Sequence, residues 1–223
     1  MRSCNAAVYV IGEIWQDAAW WLEQSVFDGV MDYPLYHAIR DFAMTHTDPL
    51  ETFANRIRRW YAATPETVHP YQWAFCSNHD VPRALFLCGG NRLNFRLAYA
   101  LAALLGGNLS VYYGDEIAMD GGQDPDNRRP MRWTDSKEEI RAFFHSLLRL
   151  KRDVLRHCRL TAMELTDALY LRFDGPGYGI LAVVTEPGQA VMPKLNASDS
   201  LLLEAPEGHA AEGMVQGFAI FRR

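Results

Sequence analysis

The stretch WAFCSNHDVPR, residues 73–83, begins as an apolar run and ends in three consecutive polar residues, Asn78, His79 and Asp80. A strand that is apolar along its length and polar only at its tip is typical of a parallel sheet whose carboxyl edge carries the function. We therefore predict a buried strand over residues 71–80. The segments on either side decide what kind of sheet contains it.

Strand and helix patterns alternate along the first two thirds of the chain. Period-2 and apolar runs predict four strands, and helical spacing of apolar residues predicts helices between and after them. The predicted strands cover 8–15, 25–34, 71–80 and 108–117, and the helices cover 18–24, 35–45, 51–63, 92–105 and 136–155. In the last helix one apolar face is predicted from Ile140, Phe143, Phe144, Leu147, Leu148 and Leu150. This alternation implies a parallel sheet with helices outside it.

The pattern changes near residue 156, where short strands follow one another around turns such as Gly175-Pro176-Gly177. We therefore expect two domains, an α/β domain over 1–155 and an all-β domain with an antiparallel sheet over 156–223. Four βα units fit an open doubly wound sheet or half of an eight-stranded barrel. In both folds the functional residues lie at the carboxyl ends of the strands.

Composition and charge exclude several classes of function. The 223 residues are 49% hydrophobic with a net charge of −5 and no long basic run, which argues against nucleic acid or an anionic membrane as a partner. No apolar run approaches the roughly 20 residues of a membrane span, and no signal peptide is recognised. The four cysteines are scattered, which favours free thiols in the cytoplasm.

Acidic residues lie at the end of each predicted strand, and Glu13, in the segment GEIW, lies at the end of the first. Apolar neighbours would desolvate its carboxyl group, which raises a carboxyl pKa and suits a general acid. The alternative is an ordinary solvated glutamate in a loop. Trp15, two residues later, is the tryptophan that we expect to stack on a ligand ring.

His79 and Asp80 can act together only if the strand has already turned into a loop, because neighbouring strand residues point to opposite faces. They would then bind ligand hydroxyl groups as donor and acceptor. The alternative is a strand end at which Asn78 and Asp80 make local turn bonds. Metal binding is less favoured because no second histidine or cysteine cluster accompanies them.

The loop QDPDNRRPMRW, residues 123–133, combines carboxylates with arginines. A rim held together by internal ion pairs is the simplest interpretation. Arg128 or Arg129 could instead anchor a substrate hydroxyl group, and we take Arg129 as the candidate.

Together, YVIGEIWQDA, FDGVMDYPLYHAI, FCSNHDVPR and VYYGDEIAMDGGQDPDNRRPMRW resemble the alpha-amylase superfamily, glycoside hydrolase family 13. The similarity is greatest to its neopullulanase, cyclomaltodextrinase and maltogenic amylase group. It covers about residues 5–152, and the tail is similar to the small β-sandwich that usually follows the barrel. The resemblance implies an α/β fold that is the C-terminal half of a (β/α)8 TIM barrel, strands five to eight, followed by that sandwich.

The resemblance also implies roles for individual residues. Glu13 matches the general acid/base, Asp80 the third carboxylate, which stabilises the transition state, and His79 the histidine beside it. We further expect Asn78 and Arg83, in the same segment, to bind substrate. The implied reaction is retaining hydrolysis of α-glucosidic bonds in maltooligosaccharides, cyclodextrins or related α-glucans.

One part of the family pattern is missing. The family's nucleophile is the aspartate of an Arg-x-Asp motif one strand before Glu13, and no residue here matches it. Arg172-Phe173-Asp174 has the spacing but reads as a hairpin turn, and MPKLN, residues 192–196, copies a family motif out of order. We therefore expect little activity from the chain alone. We expect the chain to associate with itself or with a complementing N-terminal chain. No cofactor is expected. Calcium binding is kept as an open alternative.

Two other functions compete with a truncated glycosidase. The first is a non-catalytic glycan-binding or scaffolding half that complements a separate N-terminal chain. The second is an unrelated open α/β enzyme that uses the same carboxylates differently.

Overall fold

The computed structural model describes residues 4–5, 7–134, 137–205 and 213–223. Its first part contains four short strands, namely β1 (Ile11–Gly12), β2 (Gly29–Val30), β3 (Trp73–Phe75) and β4 (Asn108–Ser110). β1 pairs with β2 and β3 with β4, both in parallel, and a parallel bridge between Met31 and Trp73 links β2 to β3. The four strands therefore lie side by side in chain order.

Helices follow the strands in the predicted order. They are α1 (Ala19–Glu23), α2 (Tyr33–Ile39), α3 (Leu50–Ala63), α4 (Ala84–Leu87), α5 (Arg92–Leu105) and α6 (Glu138–Asp153). A π-helical turn, Arg40–Met44, continues α2, and single 3₁₀ turns lie at His69–Tyr71, Asp115–Ile117, Asp126–Arg128 and Leu155–His157. The sequence did not predict α4, which is a single turn.

The strands are much shorter than predicted, and the second one shows why. Pro34 was expected to close this strand, but it lies in the first turn of α2, where its missing N–H costs no hydrogen bond. Asp32 caps that helix, because its carboxylate accepts a hydrogen bond from the Leu35 N–H at 3.1 Å. Apolar residues continue past the paired strand into the helix, so hydrophobicity alone extended the predicted strand too far.

α5 and α6 begin and end near the predicted residues. The Asn91 side chain caps α5 by accepting from the N–H groups of Leu93 and Asn94, at 2.9 and 3.2 Å. In α6 the predicted face is buried except for Leu148, which is 42% exposed. The prediction for Leu148 was wrong because this residue lies about 100° around the helix from Leu147.

The tail is built from antiparallel strands. They are β5 (Arg159–Leu165), β6 (Leu169–Gly175), β7 (Tyr178–Val184), β8 (Ala190–Val191), β9 (Ser200–Ala205), β10 (Val215–Gln216) and β11 (Phe218–Arg222). Five of them form one sheet in the order β5-β6-β7-β11-β9, and β8 pairs with β10. The predicted hairpin is confirmed, since β6 turns into β7 at Gly177, whose φ is +82°. Asp174 lies in that hairpin opposite Gly179.

The three central strands of the five-stranded sheet, β6, β7 and β11, are buried on both faces. Leu171, Ile180 and Ile220 face the helices and belong to the same core as α2, α3, α5 and α6. Tyr170 and Val183 face the other way and pack against the small β8–β10 pair. One core therefore joins the parallel strands and their helices to the antiparallel sheet.

Gly29 allows one close approach on which this arrangement depends. A Cβ atom at this position would lie 2.1 Å from the Tyr71 carbonyl oxygen, which no larger residue can avoid. Glycine therefore lets β2 lie directly against the segment that leads into β3. No helix within the described ranges is long and apolar enough to cross a membrane.

Asp32 is a buried carboxylate that lies two residues after β2. It is 1% exposed, and its Oδ1 accepts hydrogen bonds from the Leu35 N–H and the Trp60 indole N–H, each at 3.1 Å. Burial raises its pKa from 3.8 to about 7, and the two hydrogen bonds oppose that shift. Its ionisation therefore opposes folding at neutral pH.

We expect Asp32→Asn to remove a pH dependence of stability. Between pH 4 and 7 folded Asp32 keeps a proton that the unfolded chain releases, so the free energy of unfolding falls as the pH rises. The difference between 3.8 and about 7 corresponds to about 4 kcal/mol. Urea unfolding at several pH values should show that, between pH 4 and 7, the free energy of unfolding of the wild type falls by up to about 4 kcal/mol more than that of the variant. Parallel pH profiles for the two proteins would contradict this account.

Candidate active site

Three short polar segments follow β1, β2 and β3 at their carboxyl edge. Glu13 follows β1 directly, Asp32 and Tyr33 follow β2, and residues 78–80 follow β3 by three to five positions. Parallel strands in chain order bring these ends together on one edge of the sheet.

Tyr33 lies at the centre of this edge. It is fully buried, and its ring stacks on Trp15 with centroids 4.3 Å apart and planes 17° apart. Its hydroxyl group accepts a hydrogen bond from Asn78 Nδ2 at 3.1 Å. Trp15 keeps 47% of its surface exposed, so the stacked pair presents one open aromatic face.

Both predicted carboxylates lie close enough to act on the Tyr33 hydroxyl group. Burial raises the pKa of Tyr33, the Asn78 hydrogen bond opposes this shift, and the charges of Glu13 and Asp80 add to it. Glu13 and Asp80 thus both lie within electrostatic range of one phenol, although 67 positions separate them in the sequence.

His79 and Asp80 form a contact with each other. The strand has already turned into a loop here, and His79 Nε2 lies 3.2 Å from Asp80 Oδ2. Arg128 approaches the same carboxylate, with 3.6 Å between its Nη2 and Asp80 Oδ1. Asp80 is a quarter exposed and His79 more than half exposed, so both side chains can reach a ligand from solvent.

Asn78 has a structural role within the protein. Its Oδ1 accepts from the N–H groups of Asp80 and Val81 at 2.7 and 3.1 Å, and only 6% of the residue is exposed. The alternative interpretation of local turn bonds therefore holds for Asn78. The expected direct contact with substrate does not fit a side chain whose amide and carbonyl groups are both occupied.

Arg83 is likewise not a surface residue, in contrast to the expected substrate contact. It is completely buried, and its Nη1 lies 2.7 Å from the Tyr113 carbonyl oxygen and 3.1 Å from Asp115 Oδ1. Its Nε donates to the Asn127 carbonyl at 3.0 Å. The prediction was wrong because a buried carboxylate, which no local pattern indicates, pairs with this guanidinium group.

Asn127 holds the loop that carries His79 and Asp80. It is fully buried, and its Nδ2 donates to the carbonyl groups of His79 and Val81, both at 2.9 Å. Since Arg83 binds the Asn127 carbonyl, the buried guanidinium and this amide form one continuous support. We call Arg83, Asp115 and Asn127 the loop clamp.

Arg129 lies apart from the catalytic candidates. Its side chain pairs with Asp120 at 3.3 Å and Asp126 at 3.1 Å, and about a third of the side chain is exposed. The simplest interpretation, a rim with internal ion pairs, therefore describes Arg129. The neighbouring Arg128 is the arginine that reaches Asp80.

Glu13 is exposed, in contrast to the expected desolvated wall. Within the described ranges β1 pairs only with β2, so this strand lies at the edge of the parallel group. Its neighbours Gly12 and Ile14 are buried or half-buried, but nothing covers the carboxylate itself. Apolar neighbours in sequence do not desolvate a side chain that points away from them.

The sequence pattern did not indicate Tyr33 or Asn127, and it favoured Arg129 although Arg128 is the arginine that lies near Asp80. Tyr33 follows Asp32 directly, so its position at the carboxyl end of the predicted strand 25–34 was an available signal. Asn127 and Arg128 act through contacts with residues almost 50 positions earlier, which no local pattern reveals.

The assembled groups have a definite chemical capacity. Two carboxylates can exchange protons and bind hydroxyl groups, an imidazole can donate a further hydrogen bond, and an open indole can stack on a sugar ring. No group of three or more histidine, cysteine or acidic side chains suited to a metal ion occurs in the described part of the chain.

We expect Asn127→Asp to destabilise the protein, because a carboxylate would replace the amide that donates to two carbonyl groups. A buried, unpaired charge facing acceptors should lower the free energy of unfolding by about 2–4 kcal/mol, measured in urea. Asn91→Asp is the matched control, since Asn91 accepts hydrogen bonds and aspartate caps a helix equally well. Equal effects of the two substitutions would show that the clamp does not depend on donation by Asn127.

Comparison with known proteins identifies a family for this chain. The family model described as "Alpha amylase, catalytic domain" matches residues 1–160. The chain is 35% identical over 210 residues to neopullulanase 2 of Thermoactinomyces vulgaris, covering 93% of this chain and 35% of the relative. It is 31% identical over 199 residues to a cyclomaltodextrinase of Geobacillus thermopakistaniensis, covering 89% and 33%.

A solved structure shows the same fold. The crystal structure of the maltogenic amylase from S. marinus aligns with a TM-score of 0.83 and 25% identity, over 99% of this chain and 32% of that protein. The chain spans about a third of the length of the curated relatives that it matches. Because the family model covers well over half of its residues, the chain belongs to the alpha-amylase family.

Proposed function

We propose that this chain is the carboxyl-terminal part of an α-glucan hydrolase that cleaves α-glucosidic bonds with retention of configuration. The observation that carries this proposal is that Glu13 and Asp80 both lie within electrostatic range of Tyr33, whose ring stacks on the exposed Trp15. Membership of the alpha-amylase family supports the same chemistry. Relatives named cyclomaltodextrinase and neopullulanase favour cyclodextrins, maltooligosaccharides and related glucans as substrates.

The four parallel strands are proposed as strands five to eight of an eight-stranded barrel. Their side-by-side order and the helix after each strand support this half-barrel, with β1 and β4 at its two edges. The sheet that begins at β5, backed by the β8–β10 pair, fits a small β-sandwich that follows the barrel. We keep the domain division near residue 155 as part of the proposal.

In this account Glu13 is the general acid and base. It protonates the leaving oxygen while an aspartate from a preceding strand attacks the anomeric carbon, and it then deprotonates the water that releases the sugar. Asp80 and His79 bind the hydroxyl groups of the reacting ring, and Arg128 is a further candidate contact because it touches Asp80. The open position of Glu13 at an edge strand suits a carboxylate that the missing strands would cover.

No residue of this chain matches the family's nucleophile, so we propose that the chain alone turns over little or no substrate. The partner that completes the site is a segment with the other barrel strands, on the same polypeptide or on a separate chain. Self-association through the two strand edges is the alternative partnership.

The scattered cysteines support the cytoplasm as its location.

Maltotriose binding tests the sugar-recognition half of this proposal. We expect the chain to bind maltotriose with millimolar affinity and the His79 imidazole NMR signals to shift on titration. Asp80→Asn should raise the Kd about tenfold, because a hydrogen bond to a charged acceptor contributes about 1.5 kcal/mol or more.

Asp124→Asn is the matched control for that experiment. Asp124 also pairs with Arg128, at 3.1 Å, but lies on the exposed rim, so its Kd should remain within about twofold of the wild type. If isothermal titration calorimetry shows no heat of binding and the His79 NMR signals do not shift at about 20 mM maltotriose, the result would count against glycan recognition by this chain.

A further inference from the structure

A second cavity lies beside the candidate active site, between α1, the start of α2 and α3. Its volume is about 490 Å³, within the roughly 300–1,000 Å³ of small-molecule sites. Asp32, Trp15 and Trp60 form part of its wall. Trp15 borders both this cavity and the candidate active site, because its ring also stacks on Tyr33.

A buried carboxylate oxygen in the cavity wall has no hydrogen-bond partner within the described residues. Asp32 Oδ1 accepts two hydrogen bonds, whereas Oδ2 is buried without a hydrogen-bond partner in the described part of the chain. A buried acceptor left without a partner is costly and uncommon in native proteins. A ligand that donates a hydrogen bond would satisfy it.

The charges around the cavity select a neutral ligand. Arg56 and Arg59 also line it and oppose a cation, while Asp17, and Asp32 once it is ionised, oppose an anion. Arg56 is already balanced by Asp41 at 2.7 Å and Asp48 at 2.6 Å, so it is not free to bind an anion. A neutral molecule with hydroxyl groups fits these constraints.

The two tryptophans supply the remaining recognition. Trp15 and Trp60 offer apolar ring surface, which suits the C–H faces of a sugar ring. The Trp60 indole N–H donates to Asp32 Oδ1, so this indole reports directly on the carboxylate.

We propose that this cavity is a second sugar-binding site that takes one or two neutral sugar rings, with Asp32 as the hydrogen-bond acceptor and Trp15 and Trp60 as walls. The site lacks Glu13 and His79, so it binds without cleaving. The hydroxyl chemistry of the ligand follows from the cavity, while its source, a fragment of an α-glucan, rests on the proposed function.

Maltose titration followed by the indole ¹⁵N–¹H NMR signals tests this site. The Trp60 signal, identified by its loss in Trp60→Phe, should shift with millimolar maltose. Ala63 is exposed and lines the cavity, so Ala63→Phe should block the cavity and raise the Kd at least tenfold. Ala62 is its exposed neighbour outside the cavity, and Ala62→Phe should leave the Kd within twofold. At about pH 8, where Asp32 is mostly ionised, Asp32→Asn should raise the Kd about fivefold through loss of a charged acceptor.

The possible outcomes separate this proposal from the proposed function. His79→Ala should leave the Trp60 response unchanged, which identifies two independent sites. A maltose response at His79 without one at Trp60 overturns the second site and retains the proposed function. A response at Trp60 alone supports the second site and counts against the proposed function. A larger Trp60 response to gluconate or glucosamine than to maltose would overturn the assignment of a neutral ligand.

Discussion

The ion pair between Arg83 and Asp115 is the interaction on which the candidate site depends. Both side chains are completely buried, so each must have its partner, and removing one would cost about 3–5 kcal/mol. Burial raises the pKa of Asp115 to about 6, and hydrogen bonds from Ser77 and Tyr99 and the charge of Arg83 oppose this shift. The pair therefore ties the loop after β3 to the loop after β4.

Asn127 extends this buried pair to the catalytic candidates. Its backbone accepts from Arg83, and its side chain donates to the loop that carries His79 and Asp80. Because this support comes from a buried side chain, the His79 imidazole and the Asp80 carboxylate remain exposed to a ligand. Polar groups inside the protein thus provide rigidity at the edge of the sheet, where chemistry requires exposed side chains.

Much of the helical fold followed from the sequence, because apolar periodicity and capping residues act locally. α3, α5 and α6 begin and end within about two residues of the predicted positions. The lengths of the strands could not be predicted from the sequence, since apolar residues continue beyond the last paired residue, as they do after Val30. The polar tip at Asn78, His79 and Asp80 was located correctly, but the functions of Asn78 and Arg83 depend on distant partners. Pairing between residues 30 or more positions apart leaves no periodic signal.

Hydrolysis by a completed barrel tests the central claim most directly, that Glu13 is the proton donor of a glucan hydrolase whose nucleophile lies on another segment. The measurement is kcat on maltotriose for this chain alone and for a chimera in which it replaces the matching part of neopullulanase 2 of Thermoactinomyces vulgaris. We predict turnover by the chimera only, a loss of about 10²–10⁴-fold in Glu13→Gln, and no change in Glu23→Gln on nearby α1. A folded chimera without turnover, or one that Glu13→Gln leaves unaffected, would contradict the account.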